Sequence, residues 1–284
     1  MQNFKEKVAV ITGAASGIGF AIAERCVQEN MRVVMADIEE TALRQAESRL
    51  RAAGGTVVAV RTDVSHFEDL EALAKHTLEA FGAVHLLINN AGVGAGSSVW
   101  ESSIADWEWV IGVNLMGVIH GLRAFVPIML VQNSEGHIVN TASVAGLLNY
   151  HPSAPYQVSK HAVVALSENL YFSLAYRQSK LKVSVLCPGW VNTKILESER
   201  NRPEGLLNPP PSQPLDPAIQ AYIEQMVGEM RKAVETGMKP GQVANLVFDA
   251  IRNEQFYIVT HPEFNPMIKR RMEDIVAQRN PALE

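Results

Sequence analysis

Tyr156 and Lys160, four positions apart in Tyr-Gln-Val-Ser-Lys, open a stretch of helical character, and thirteen residues before the tyrosine stands Ser143. A spacing of four puts the first two on one helix face, one turn apart. A phenol with a pKa of about 10 carries protons poorly at neutral pH until a nearby cation favours the phenolate. Lys160 supplies that cation and has donors to spare for ribose hydroxyls, while Ser143 can hold a substrate oxygen beside Tyr156. These three suit proton transfer to or from an alcohol oxygen. No metal is needed for it, and the eight histidines lack zinc-ligand spacing. The bare pattern also arises by chance, since Tyr176 and Lys180 repeat it. That second pair ends its helix just before a strand, has Val163 thirteen residues ahead of it, and reads as a surface pair.

A second group of residues suits a dinucleotide. The run Thr12-Gly13-Ala14-Ala15-Ser16-Gly17-Ile18-Gly19 follows an apolar strand and leads into a helix. Gly13 suits a tight turn, Gly17 lets backbone N–H groups approach a pyrophosphate, and Gly19 permits close helix packing, with the helix N-terminus favouring the anion. Asp37 ends the next strand eighteen residues beyond Gly19. A carboxylate there accepts from a ribose 2′-hydroxyl and repels a 2′-phosphate, favouring NAD(H) over NADP(H). The other role open to Asp37 is to cap the helical segment starting at Glu39; the two are compatible.

Elements must bring these groups together. Short β-branched runs at 7–12, 32–37, 56–61, 84–88, 136–141, 182–187 and 256–259 alternate with helical periods at 17–30, 39–53, 66–81, 103–132, 155–179 and 240–253. Such alternation predicts an α/β, doubly wound, Rossmann-type parallel sheet of about seven strands, with helices on both faces and one domain over 1–284. Ligands in such sheets sit outside the carboxyl ends of the strands. Ser153 is a candidate N-cap and Pro155 suits the first turn of the helix carrying Tyr156. Residues 190–235, with Asn208-Pro-Pro-Pro211, Pro214 and Pro217, read as a loop with an adjoining helix. It is either a cover over the ligand edge or a plain surface excursion. The tail to Arg279 reads as an edge strand and a cationic helix.

The net charge of −5 and pI of about 5.9 build no basic field for nucleic acid or an anionic membrane, which leaves small-molecule chemistry. Cys26 and Cys187 lie in apolar runs and imply no disulfide framework. The N-terminus shows no signal-peptide core, and no apolar stretch of about 18 residues is expected, so the chain is placed in the reducing cytoplasm.

With Asn89-Asn90-Ala91-Gly92 closing the fourth strand, the chain resembles the compact, NAD-dependent type of the short-chain dehydrogenase/reductase family, firmly over 5–195 and by architecture beyond. The resemblance implies hydride transfer between nicotinamide and an alcohol or ketone carbon, with Asn114, Ser143, Tyr156 and Lys160 as the catalytic set. It implies that Asp63 meets the adenine, that Asn90, Ala91 and Gly92 line the cofactor's floor with Val64 nearby, and that Pro188, Gly189, Val191 and Thr193 approach the nicotinamide. Ser16 and Ile18 join the loop contacts. In family members an asparagine at the place of Asn114 kinks a helix around a water linking the lysine to solvent. Gly94, Val144, Leu148, His151, Trp190 and Leu196 are candidates for the substrate side, although His151 reads first as a solvent-facing loop residue. They are mostly apolar, which points to a hydrophobic secondary alcohol or ketone. The resemblance also implies a homo-oligomer, a tetramer or else a dimer, built on the long helices. Two alternatives stay open: an NADPH-dependent carbonyl reductase in which Asp37 merely caps, and a non-catalytic NAD-binding module.

Overall fold

The computed structural model describes residues 1–149, 153–209 and 217–281. Its strands are β1 (Val8–Thr12), β2 (Arg32–Asp37), β3 (Thr56–Arg61), β4 (Leu86–Asn89), β5 (Gly136–Thr141), β6 (Leu181–Cys187) and β7 (Tyr257–Val259). They form one parallel sheet in the order β3-β2-β1-β4-β5-β6-β7. This is the doubly wound arrangement the alternation predicts, with the order reversing between β1 and β4. β1 and β5 are buried along their whole lengths, as a sheet covered on both faces requires.

The helices are α1 (Gly17–Gln28), α2 (Glu40–Ala52), α3 (Phe67–Phe81), α4 (Ile104–Ile111), α5 (Gly117–Gln132), α6 (Ala154–Tyr176), α7 (Pro217–Glu235), α8 (Pro240–Arg252) and α9 (Asn265–Val276). One face of the sheet packs with Ile22, Leu43, Leu50 and Phe248, the other with Leu70, Leu73, Phe125 and Met129. Burying each such side chain contributes about 1.5–3 kcal/mol.

Two expectations change. The segment read as one helix over 103–132 is divided by a wider turn at Gly112–Met116, closed by an i→i+5 hydrogen bond from Gly117 N–H to the Gly112 carbonyl. Residues Ile104–Gln132 are also long and apolar enough to cross a membrane, against the expectation that no such stretch exists. Their apolarity has a structural use, since Val110, Val118, Phe125 and Met129 from this segment are buried in the core. Cys26 and Cys187 are buried thiols, as read from their surroundings.

α4 begins on a reciprocal cap: Ser103 Oγ accepts from Asp106 N at 3.0 Å, and Ser103 N donates to Asp106 Oδ2 at 3.0 Å. Ser153 stands at the N-cap of α6 but makes no side-chain cap bond, and Pro155 occupies the first turn as predicted. Tyr176 is 86% exposed, and Lys180 Nζ donates to the Asn133 carbonyl at 3.1 Å, so the second Tyr-x-x-x-Lys lies on the surface without forming a pair.

Candidate active site

The carboxyl ends of the strands open into a cavity of about 1390 Å³. Nearly every residue singled out in the sequence lines it. Gly19 lies beneath the glycine loop and Asn114 behind the cavity floor, and His151 falls outside the described residues.

The loop after β1 is held by close backbone approach. Gly13 sits at φ +64°, and a Cβ there would meet Ala91 Cα at 2.8 Å. A Cβ on Gly19 would strike the Gly13 carbonyl, so this glycine lets α1 start directly against the loop. Thr12, which the sequence did not single out, joins loop and floor: its Oγ1 accepts from Asn90 N at 2.9 Å and Ala91 N at 3.1 Å. Asn90 Nδ2 reaches back to the Thr12 carbonyl at 3.1 Å. The resulting cradle of small residues at the head of a helix fits a dinucleotide pyrophosphate.

Asp37 serves the local fold as well as facing the cavity. Its Oδ1 accepts from Glu39 N at 3.0 Å, which secures the approach to α2, and its Oδ2 accepts from Ala15 N at 2.9 Å. Burial pushes its pKa up, opposed by those backbone hydrogen bonds. Asp63 accepts from Ser65 N at 3.0 Å and Ser65 Oγ at 2.7 Å, and the Val64 carbonyl accepts from His120 Nδ1 at 2.9 Å.

At the other end of the floor, Lys160 Nζ donates to the Thr141 carbonyl at 3.0 Å and stands 5.5 Å from the centroid of the Tyr156 ring. Tyr156 is hydrogen-bonded to Ser143. Ser143 Oγ accepts from Ala145 N at 3.1 Å and contacts the Pro188 carbonyl at 3.3 Å, which fixes the hydroxyl beneath the phenol. Asn114, fully buried in the wide turn, clamps the strand exit: its Oδ1 accepts from Val93 N at 2.8 Å, and its Nδ2 donates to the Val93 carbonyl at 2.9 Å and Ser159 Oγ at 3.1 Å. A Cβ on Gly92 would lie 3.4 Å from Asn114 Oδ1 and 3.5 Å from Lys160 Nζ, ordinary contact distances that show how closely those two groups approach the floor there.

The protonation pattern differs in direction from the one the Tyr/Lys pair suggested. Burial raises the Tyr156 pKa, and only the Ser143 hydrogen bond pulls it back. Burial also lowers Lys160 to about 8. The physical reason is that the buried ammonium loses its hydration and is met by the Thr141 carbonyl, with Cys187 as the opposing influence. Among the protein's own groups the phenol is therefore held neutral, the form that donates a proton.

Beyond β6 the chain folds back over this floor. Gly94 N donates to Ser198 Oγ at 3.0 Å. Arg202 is buried, pairs with Asp106 at 2.7 Å and lies 4.3 Å over the Trp109 ring. Arg200 and Asn201 donate to Glu39 Oε1 at 2.7 Å and 3.0 Å, bridging from the cover to the approach to α2. Met238 N donates to the Trp190 carbonyl at 2.9 Å, which fastens the end of α7 to the Pro188-Gly189 segment. A Cβ on Gly189 would meet His261 at 2.8 Å and Phe264 at 2.9 Å, so the turn before α9 seats there too. Residues of α7 and α9 thus line the cavity; the sequence offered the 190–235 segment as a cover without naming α7's lining residues, and did not bring α9 to the cavity. A signal existed for α7 in Ile223, Met226, Met230 and Val234 at helical spacing.

Comparison with known proteins agrees with this architecture. Residues 7–204 match the short chain dehydrogenase family. The CLA biosynthesis dehydrogenase/reductase of Lactiplantibacillus plantarum is 36% identical over 282 residues, covering 99% of this chain and 97% of that protein. The 1-deoxy-11-beta-hydroxypentalenate dehydrogenase of Streptomyces exfoliatus is 30% identical, over 96% of this chain and 90% of its own length. A short-chain dehydrogenase/reductase from Burkholderia phymatum, solved in complex with NAD, superposes with a TM-score of 0.94 at 50% identity, covering 100% of this chain and 99% of that one. A family match over residues 7–204, relatives matched along nearly the whole length and a solved structure superposing at 0.94 leave one conclusion: the chain is an oxidoreductase belonging to the short-chain dehydrogenase/reductase family.

Proposed function

We propose that this enzyme interconverts a hydrophobic secondary alcohol and its ketone with NAD(H), using Tyr156 as the acid/base. The observation that carries this is the convergence of Ser143, Tyr156 and Lys160 on the floor of one cavity that also holds Asp37 beside the glycine loop. The nicotinamide, when bound, supplies or accepts the hydride. Ser143 orients the substrate oxygen toward the phenol. Tyr156, neutral in its buried setting, gives its proton to that oxygen during reduction and takes one from the alcohol during oxidation. Lys160 holds ribose hydroxyls and carries the charge that favours phenolate once the proton has left. Asn114 keeps the strand exit and the wide turn in register behind Lys160.

NAD(H) is favoured by the Asp37 carboxylate and by the NAD bound to the Burkholderia phymatum relative. NADP(H) is the alternative, and Arg200 and Lys194 give it support, since both lie close enough to Glu39 to act on its charge. Gly94, Val144, Leu148, Trp190 and Leu196 line the same cavity as Tyr156, which supports them as the substrate side. We also place the enzyme in the cytoplasm, with Cys26 and Cys187 reduced, as a homotetramer. The exposed Val131, Tyr171 and Phe172 on α5 and α6 supply apolar contact surface for that assembly, and light scattering on the eluted protein measures it.

The deciding assay follows nicotinamide absorbance with secondary alcohols and ketones, NAD(H) and NADP(H) in parallel. Turnover with NAD(H), and a Tyr156→Phe variant slowed by about 10²–10⁴-fold with NADH affinity kept, is the expected outcome. Full turnover by Tyr156→Phe would remove the phenol from the mechanism. A higher kcat/KM with NADPH would reverse the cofactor assignment. NADH binding without turnover of any substrate in the panel would favour the non-catalytic module.

A further inference from the structure

The cavity of about 1390 Å³ holds the cofactor cradle and the floor around Tyr156, and α7 and α9 line it as well. The lining there has two characters. Met226 and Met230 from α7 and Met267 and Ile275 from α9 make it apolar, and methionine suits a flexible aliphatic partner because it adapts its shape. Arg231, Arg270, Arg271 and Arg279 line the same lobe against a single acid, Asp274, which pairs with Arg279. In a chain of net charge −5, that is a local field of opposite sign. Among the described residues Arg271 and Arg231 form no ion pair. Arg271 is also half-buried, where a guanidinium without an anion is costly. It reaches toward α6 closely enough to add to burial in lowering the His161 pKa, which puts its charge on the helix that carries Tyr156.

We infer that the substrate is an amphipathic organic anion: a secondary alcohol or ketone on an aliphatic skeleton that lies between α7 and α9, with a carboxylate that Arg271, helped by Arg231, binds. This rests on the alcohol/ketone chemistry proposed for Tyr156 and adds the recognition of charge remote from the reacting carbon. A chain running from the phenol into the methionine-lined lobe brings its anionic end to the arginines. Bidentate guanidinium–carboxylate geometry then selects acids over neutral alcohols of equal length.

The test uses hydroxydodecanoates bearing the hydroxyl at carbons 3 to 11, each beside its methyl ester, with NAD and the full-length enzyme. The ratio of kcat/KM for acid over ester should exceed about tenfold for the best isomer and fall toward one in Arg271→Gln, mainly through KM, with Arg271→Lys intermediate. A second measurement is independent of turnover: calorimetric binding of dodecanoate and of dodecanol to the NADH-loaded protein. Dodecanoate should bind more tightly, and Arg271→Gln should erase that difference. Esters used as well as acids, or a loss in Arg271→Gln that appears equally in acid and ester or in NADH affinity, would overturn the inference while leaving the dehydrogenase intact. Arg271-dependent dodecanoate binding with no turnover of any isomer would instead keep the anion site and remove the alcohol chemistry.

Discussion

The two ends of the ligand cavity are built differently. The cofactor end is made of strand termini and one glycine loop, tied by short backbone contacts such as Thr12 Oγ1 to Asn90 N at 2.9 Å. The substrate end is made of helices and a cover joined to the rest by side chains far apart in sequence: Arg202 to Asp106, Ser198 to Gly94, Arg200 to Glu39. Backbone fixes what every member of a cofactor-sharing family needs. Side-chain clasps hold what changes with substrate, and they can open without unfolding the sheet. Two relatives named for different activities align with 99% and 96% of this chain.

The largest effect expected at the rigid end concerns stability. Lys160 is 3% exposed, and burial brings its folded pKa down to about 8 from the 10.5 of a solvated lysine. The unfolded chain therefore binds more protons between those values, and stability rises with pH through that window. Below pH 8 the charged lysine costs about 3 kcal/mol relative to its neutral form. Lys160→Met should be less active, yet its stability relative to the parent should be greatest near pH 7 and decline by about 3 kcal/mol by pH 10.5. A constant offset comes from the Thr141 carbonyl losing its donor, about 1–3 kcal/mol, and does not alter the slope. Urea unfolding of both proteins at several pH values measures this. A difference that does not change with pH would mean that the catalytic floor stores no such cost, and the contrast between a rigid end and an adjustable one would weaken.

Next in size is Asp37. Replacing it with alanine removes the acceptor for Ala15 N and Glu39 N and, with it, the ribose acceptor proposed above. The NAD/NADP preference, as a ratio of kcat/KM values, should fall by about a hundredfold, part from lost charge-assisted hydrogen bonds and part from relieved repulsion. Initial rates with both cofactors give the ratio, and an unchanged ratio would assign Asp37 to the fold alone.

The same division explains what could be read from the chain. Strand ends and glycine loop were legible because period, spacing and local backbone geometry are written within a few residues of one another; Gly13 and Gly19 could not be other residues in that space. The wide turn at Gly112–Met116 was not legible. Its segment keeps helical periodicity, and what Asn114 clamps is the Val93 backbone, 21 residues away in sequence. The cationic tail was visible as a helix, but only the seating of His261 and Phe264 against Gly189 turns its arginines toward the cavity. Partners separated by 161 residues, as Glu39 and Arg200 are, leave no local trace.

That last pair supplies the smallest effect and the most direct probe of the contrast. Burial would raise the Glu39 pKa, but hydrogen bonds from Arg200 and Asn201 hold the carboxyl below its usual value, so the clasp is intact at neutral pH. Both side chains are about one-third exposed, at 32% for Arg200 and 29% for Glu39, and solvent screening limits such a pair to about 1 kcal/mol or less. The clasp joins the cover to the approach to α2 beside Asp37, where the adenosine end of the cofactor must pass. Arg200→Ala should therefore raise the NADH dissociation rate by about two- to fivefold while leaving proton transfer at Tyr156 alone. Stopped-flow NADH fluorescence reads the dissociation rate, and single-turnover kinetics reads the chemical step. If release limits turnover, kcat rises with it. High salt should bring the parent toward the variant, because screening weakens the same contact. An unchanged dissociation rate would mean that the remaining ties, Arg202 to Asp106 and Ser198 to Gly94, hold the cover without this clasp, and that the adjustable end begins on the substrate side of the cavity rather than over the cofactor.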